Sequence, residues 1–92
     1  MKKISIGNNK DKTILEYAVC MGSDLDGKQI KQVKWPSHCL PVAVKRGGNE
    51  LIPKGETVIF PGDYLIVLTN EDKASKINDA LIIMTASCEI LT

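Results

Sequence analysis

The run Tyr64-Leu65-Ile66-Val67-Leu68-Thr69 follows directly on Pro61-Gly62-Asp63. A continuous apolar run of branched side chains, bounded by turn residues, reads as a strand in the middle of a sheet, covered on both faces. Phe60-Pro61-Gly62-Asp63 has Pro at its second position and Gly at its third, the chemistry of a type II turn. Every other element has to be arranged around that strand.

Before it, Thr13 to Cys20 alternates well enough for a first strand. Met21 to Lys28 supplies a cluster of turn residues, and Leu25, Ile30 and Val33 are spaced to share one face of a helix of about two turns, ended by Trp35-Pro36. Cys39 to Arg46 reads as a second strand. In it Pro41 cannot donate to a ladder, so it belongs on an edge or at the start of regular pairing. Gly47-Gly48-Asn49 is a hairpin loop leading to Leu51-Ile52, and Pro53-Lys54-Gly55-Glu56 turns the chain into a strand at Thr57 to Phe60. After the central run, Asn70-Glu71-Asp72 offers capping and acidic residues, and Ala74, Ile77, Leu81 and Met84 recur at helical spacing. The sum is an α+β domain: a small, mostly antiparallel sheet with one short and one longer amphipathic helix.

The chain has 92 residues, 43% hydrophobic and 25% charged, which fits one domain with one core. Residues 1–12 are polar and read as a flexible lead-in or linker, 13–86 as the folded domain, and 87–92 as a tail or one more short strand. A formal net charge of +1 lacks the basic footprint of a nucleic-acid binder. No apolar stretch approaches the roughly 18 residues of a membrane span, and the start lacks the apolar core of a signal peptide. No direct membrane insertion of this segment is expected. A domain this small leaves apolar surface for a partner to cover, which favours dimerisation.

Chemistry is scarce. Cys20, Cys39 and Cys88 are widely spaced and accompanied by a single His, so they read as buried reduced thiols rather than metal ligands. Neighbours on a strand point to opposite faces, which argues against a Cys39–His38 pair, and no catalytic residue can be named. Lys45-Arg46-Gly47-Gly48 lacks the spacing of a phosphate loop and reads as a hairpin tip. Lys28, Lys31 and Lys34 recur every three residues; a solvated helix face is the plain reading and an anion site the sharper one. Trp35 reads as a packing or interface anchor. Gly55, Gly62 and Asp63 read as structural turn residues, the glycines through positive φ.

Taken in order, Gly22-Ser23, Leu25, Gly27-Lys28, Ile30, Pro36, Val42-Ala43-Val44 with Lys45-Arg46-Gly47, Ile52-Pro53-Lys54-Gly55-Glu56-Thr57 and Pro61-Gly62-Asp63 before Tyr64-Leu65-Ile66-Val67 resemble the TrkA C-terminal domain, also called the RCK C-terminal domain. The resemblance covers about residues 13 to 84. It implies an α+β homodimer serving as a cytoplasmic regulatory module of a transmembrane transporter or channel. The wording is most similar to copies at the C-terminus of bacterial ClC-type chloride channels, then to those of cation/proton antiporters and potassium uptake systems. Some members bind cyclic di-AMP at the dimer interface. Carried over residue by residue, that pocket involves Ile30, Val33 and Lys34 with the stretch around His38 and Pro41. Two positions depart from the pattern: Lys34 stands in place of an Arg, and Gln32 in place of an acid. Lys lacks the bidentate fork of Arg.

No Gly-x-Gly-x-x-Gly occurs, so NAD or ATP binding through the family's companion nucleotide-binding domain is not expected. The alternatives to a ligand-sensing regulator are a purely structural dimerisation module and a free-standing small-molecule binder.

Overall fold

The apolar run becomes the central strand of a 5-stranded antiparallel sheet. The computed structural model describes residues 2–6 and 9–86, with side chains from residue 11 onward, so Cys88 and the tail expected at 87–92 lie outside the described residues. The strands are β1 (Lys2–Ile6), β2 (Asn9–Ala18), β3 (Cys39–Arg46), β4 (Asn49–Leu51) and β5 (Tyr64–Asn70), in the order β1-β2-β5-β3-β4. One helix, α1 (Ala74–Thr85), packs on β2 and β5.

The core lies between α1 and one face of the sheet. Leu15, Tyr17, Leu65, Val67 and Val44 from the strands meet Ile77 and Leu81 of the helix. Leu25, Ile30 and Ile59 close it from the connecting segments. Each of these side chains contributes about 1.5 to 3 kcal/mol by leaving water. At the edge of the core the Tyr17 hydroxyl donates to Asn78 Oδ1 at 2.8 Å, which docks α1 on β2. Burial, and then the nearby Cys39 and Asp79, push the Tyr17 phenol up to about 12. Among the described residues, no helix is long and apolar enough to cross a membrane.

Several elements differ from the expectation. The stretch read as a polar lead-in is partly strand: β1 pairs with β2 across Lys2 to Ile6, and β2 begins at Asn9. A polar strand is tolerated there because β1 is the edge of the sheet. Thr57 to Phe60 is no strand; only the isolated bridge Gln29–Val58 forms. β4 ends at Leu51, and Ile52 is exposed. β5 lies at the centre of the sheet, but α1 covers only its Leu65 and Val67 face. On the other face Tyr64 is half exposed, and the neighbouring Leu40 is 57% exposed. Asn70 makes no side-chain cap; its Oδ1 instead accepts from Lys12 Nζ at 2.9 Å. Pro41 sits at a register shift on β3, where the missing N–H disturbs no regular pairing. Cys20 is exposed rather than buried, and Cys39 is half-buried.

The turn before β5 is the best-anchored part of the connections. Asp63 N–H donates to Phe60 O at 3.1 Å with Gly62 at φ 93, type II geometry. The Asp63 side chain is 3% exposed. Arg46 grips it with both arms: Nε donates to Oδ1 at 2.9 Å and Nη2 to Oδ2 at 2.7 Å. Phe60 N–H donates to Oδ2 at 2.9 Å, and Arg46 Nη2 also donates to Val58 O at 2.9 Å. The guanidinium lies 4.7 Å from the centroid of the Phe60 ring. Burial would raise the Asp63 carboxyl, but the bonds from Arg46 and Phe60 and the Arg46 charge outweigh it and hold the carboxyl below the usual range. The reading of Asp63 as a turn residue thus missed its ion pair, which joins strands distant in sequence.

Gly55, in contrast to Gly62, has no positive φ, and a Cβ there would meet Lys31 Cβ at 3.6 Å, an ordinary contact. Gly62→Ala should therefore cost about 1 to 2 kcal/mol in urea unfolding, and Gly55→Ala less than about 0.5 kcal/mol. Asp63→Asn should cost about 2 to 3 kcal/mol at neutral pH, because Arg46 loses its charged partner. A depressed carboxyl contributes stability above its unfolded value of about 4 and loses it as pH falls through the folded value. The melting-temperature gap between Asp63→Asn and the parent should thus be full at pH 7 and close below about pH 4.

Candidate functional site

Between β2 and β3 the chain makes turns rather than the expected two-turn helix. Only Ile30–Gln32 is helical, a single 3-10 turn. Gly27 at φ 80 interrupts the helical backbone, and the N–H groups that would run along a helix go elsewhere. Gly27 N–H donates to Ile59 O, Ile30 N–H to Thr57 O and Lys31 N–H to Gly55 O, at 2.8 to 3.0 Å. In return Ile59 N–H donates to Lys28 O at 2.8 Å. The segment from Gly27 to Lys31 is therefore a rider on the 55–59 loop. Gln32 Oε1 accepts from Gln29 N–H at 2.9 Å, and Trp35 Nε1 donates to Ile30 O at 3.1 Å, which fixes the exit of the turn. Lys28, Lys31 and Lys34 accordingly do not form one helical stripe.

Against the end of α1 this segment leaves an open cavity of about 330 Å³. Lys28, Lys34 and Asp24 supply its charges, and Val33, Leu25 and Met84 its apolar wall. Lys28 Nζ donates to Asp24 O at 2.7 Å. The balance is two ammonium groups against one carboxylate beside an apolar surface, suited to an anion that carries an apolar part.

The five ligand residues expected from the sequence do not share one cavity within a single chain. Val33 and Lys34 line this one. Ile30 belongs to the core and does not line it. His38 stands in the turn before β3 at φ 64 and lines a separate opening of about 350 Å³ with Lys12, Leu40 and Asn70. There its Nδ1 is 3.5 Å from Asn70 Nδ2. Pro41 lies opposite Val67 in β3. Cys39 follows His38 with its thiol pushed up to about 11 by burial, which keeps it protonated and unreactive at neutral pH. Asp24 and Met84 were not anticipated; Met84 had a signal, its place at the end of the helical repeat, but that repeat reads equally as core.

A larger opening of about 630 Å³ lies between the β3–β4 hairpin and the turn before β5. Glu16 and Glu50 line it against Lys45, the wrong balance for a phosphate, and Arg46 next to it is committed to Asp63. Among the described residues no group of three His, Cys, Asp or Glu side chains is placed to share a metal ion.

Known proteins resemble this chain in both sequence and fold. The TrkA-C domain family matches residues 14–82. The Trk system potassium uptake protein TrkA homolog 1 of Methanosarcina mazei is 31% identical over 64 residues, 70% of this chain and 14% of that protein. The Trk system potassium uptake protein TrkA homolog of Archaeoglobus fulgidus is 30% identical over 59 residues, 64% of this chain and 14% of its own length. The chain therefore spans only a small part of the curated relatives it matches. A solved structure described as an RCK domain with cda shares the fold, with a TM-score of 0.60 at 18% identity, covering 72% of this chain and 93% of that one. With the family matched over most of its length and the fold in agreement, this chain belongs to the TrkA-C domain family.

Proposed function

We propose that this chain is a regulatory domain of a membrane ion-transport protein, acting as a homodimer on the cytoplasmic side. Its ligand is an anionic nucleotide, with cyclic di-AMP the compound to test. The observation that carries the proposal is the family match over residues 14–82. Both curated relatives described above are potassium uptake proteins, so potassium uptake takes precedence over the chloride channel and the cation/proton antiporter suggested by the sequence wording.

The cavity beside Val33 and Lys34 supports the ligand part of the reading. Lys34 is exposed and offers a point charge to a phosphate, while Val33 and Met84 offer an apolar wall to a base. At about 330 Å³ the cavity sits at the low end of small-molecule sites, so a ligand with two nucleotide halves would fill it only with help from a second copy. A ligand shared by two copies binds one dimer arrangement better than another, and that difference is what can bias a transmembrane partner.

Thermal unfolding with cyclic di-AMP, against cyclic di-GMP, ATP and NAD, tests this. A ligand at a hundredfold excess over its Kd stabilises by about 2.7 kcal/mol, roughly a 10 °C shift or more for a domain this small. Lys34→Ala should remove the shift and leave the ligand-free melting temperature within about 2 °C, since an exposed substitution costs little. No shift with any of the four would leave a dimerisation module without a ligand. Equal loss of both quantities in Lys34→Ala would give Lys34 a folding role.

A further inference from the structure

The chain leaving β2 is tied by its backbone to the end of α1. Cys20, two residues past the end of β2, donates its N–H at 2.9 Å to the carbonyl of Thr85, the last residue of the helix. The Cys20 side chain is exposed and its thiol is free. Cys88 follows Thr85 by three residues. It lies outside the described residues, but chain length alone bounds its distance from Thr85, since three residues span at most about 10 Å. A disulfide needs Cα atoms about 4.4 to 6.8 Å apart, so Cys20 stands within bonding reach of Cys88.

The same geometry sets the third cysteine apart. Cys39 pairs with Thr69 at one end of β5, whereas Ala18, two residues before Cys20, pairs with Tyr64 at the other. Five residues of strand put about 17 Å between those ends. The helix α1 begins four residues after β5 and carries the chain back to Cys20, so Cys88 is delivered to the end of the sheet away from Cys39. Cys39 is also half-buried, with its thiol held protonated.

We infer that Cys20 and Cys88 form a reversible disulfide that clamps the end of α1 to the chain leaving β2. The oxidant is a low-molecular-weight disulfide. The Cys20 thiolate attacks one of its sulfurs, forming a mixed disulfide and releasing one small thiolate; the Cys88 thiolate then attacks Cys20 Sγ and expels the second. The protein gives up two electrons and two thiol protons, and the small disulfide leaves as two thiols. For the cytoplasmic setting proposed above such a bond is transient, a sensor of oxidation rather than a permanent staple. It sits beside the cavity of Val33 and Lys34, because Met84 just before Thr85 and Asp24 and Leu25 just after Cys20 all line that cavity. The disulfide itself does not depend on any ligand there.

The test is to equilibrate the full chain with glutathione disulfide, alkylate the remaining thiols, map the linked peptides by mass spectrometry and follow thermal unfolding. The expected product is a single chain with Cys20 joined to Cys88 and Cys39 alkylated. It should melt about 10 °C above the reduced chain, because the bond closes a loop of about 70 residues, and dithiothreitol should reverse the rise. C20S and C88S should each lose the rise and melt within about 2 °C of the reduced parent, while C39S keeps it. Glutathione adducts without the joined peptide, links through Cys39, links only between chains, or thiols that stay reduced would each overturn the pairing. A joined peptide with no rise in melting temperature would overturn the clamp.

Discussion

The bidentate pair between Arg46 and Asp63 is the constraint on which the candidate site depends. It joins the end of β3 to the start of β5, and through Val58 O and Phe60 N–H it also holds the loop between them. That loop carries the carbonyls of Gly55, Thr57 and Ile59, which accept from Lys31, Ile30 and Gly27. The cavity wall formed by Lys28, Val33 and Lys34 is thus two steps of hydrogen bonding away from one ion pair. The carboxylate is buried while the guanidinium keeps some access to water, so desolvation falls mainly on Asp63 and is met by three donors. The ring of Phe60 over Arg46 shields the pair from one side.

The sheet has a different economy on its two faces. The α1 face is a packed core in which Leu15, Leu65, Val67 and Leu81 are essentially excluded from water. The opposite face carries apolar side chains without a described element above them. For a domain of this size, whose own core is small, covering that face is a direct source of stability. His38 immediately precedes β3 and Leu40 is its second residue, close in sequence to Val33 and Lys34.

How much was legible in the sequence depended on whether the signal was local. The central strand showed itself because an apolar run between turn residues has few other readings, and α1 because Ala74, Ile77 and Leu81 repeat at helical spacing. The short helix was over-read. Leu25, Ile30 and Val33 are indeed apolar and turned inward, but their burial comes from turns and a single 3-10 turn, because the N–H groups of Gly27, Ile30 and Lys31 donate to the 55–59 loop instead of along a helix. The same partnership explains why Thr57 to Phe60 looked like a strand: it pairs, but with a turn rather than a ladder. The role of Asp63 was hidden because its partner is 17 residues away and no spacing rule connects the two. For the site, Lys34 was marked both by the spacing of Lys28, Lys31 and Lys34 and by family likeness, and Val33 by family likeness, while Asp24 and Met84 meet them only when α1 folds back onto the turns.

If one ion pair holds the site through the loop, the most direct measurement is amide hydrogen exchange on Asp63→Asn and the parent at neutral pH. Gly27, Ile30 and Lys31 donate to the loop, whereas the β2 and β5 amides belong to the central ladder. The account predicts that protection at Gly27, Ile30 and Lys31 falls by about tenfold or more beyond any loss shared with the β2–β5 amides, local opening having been decoupled from global unfolding. Equal loss at both sets, or unchanged protection at the three loop-bonded amides, would contradict it.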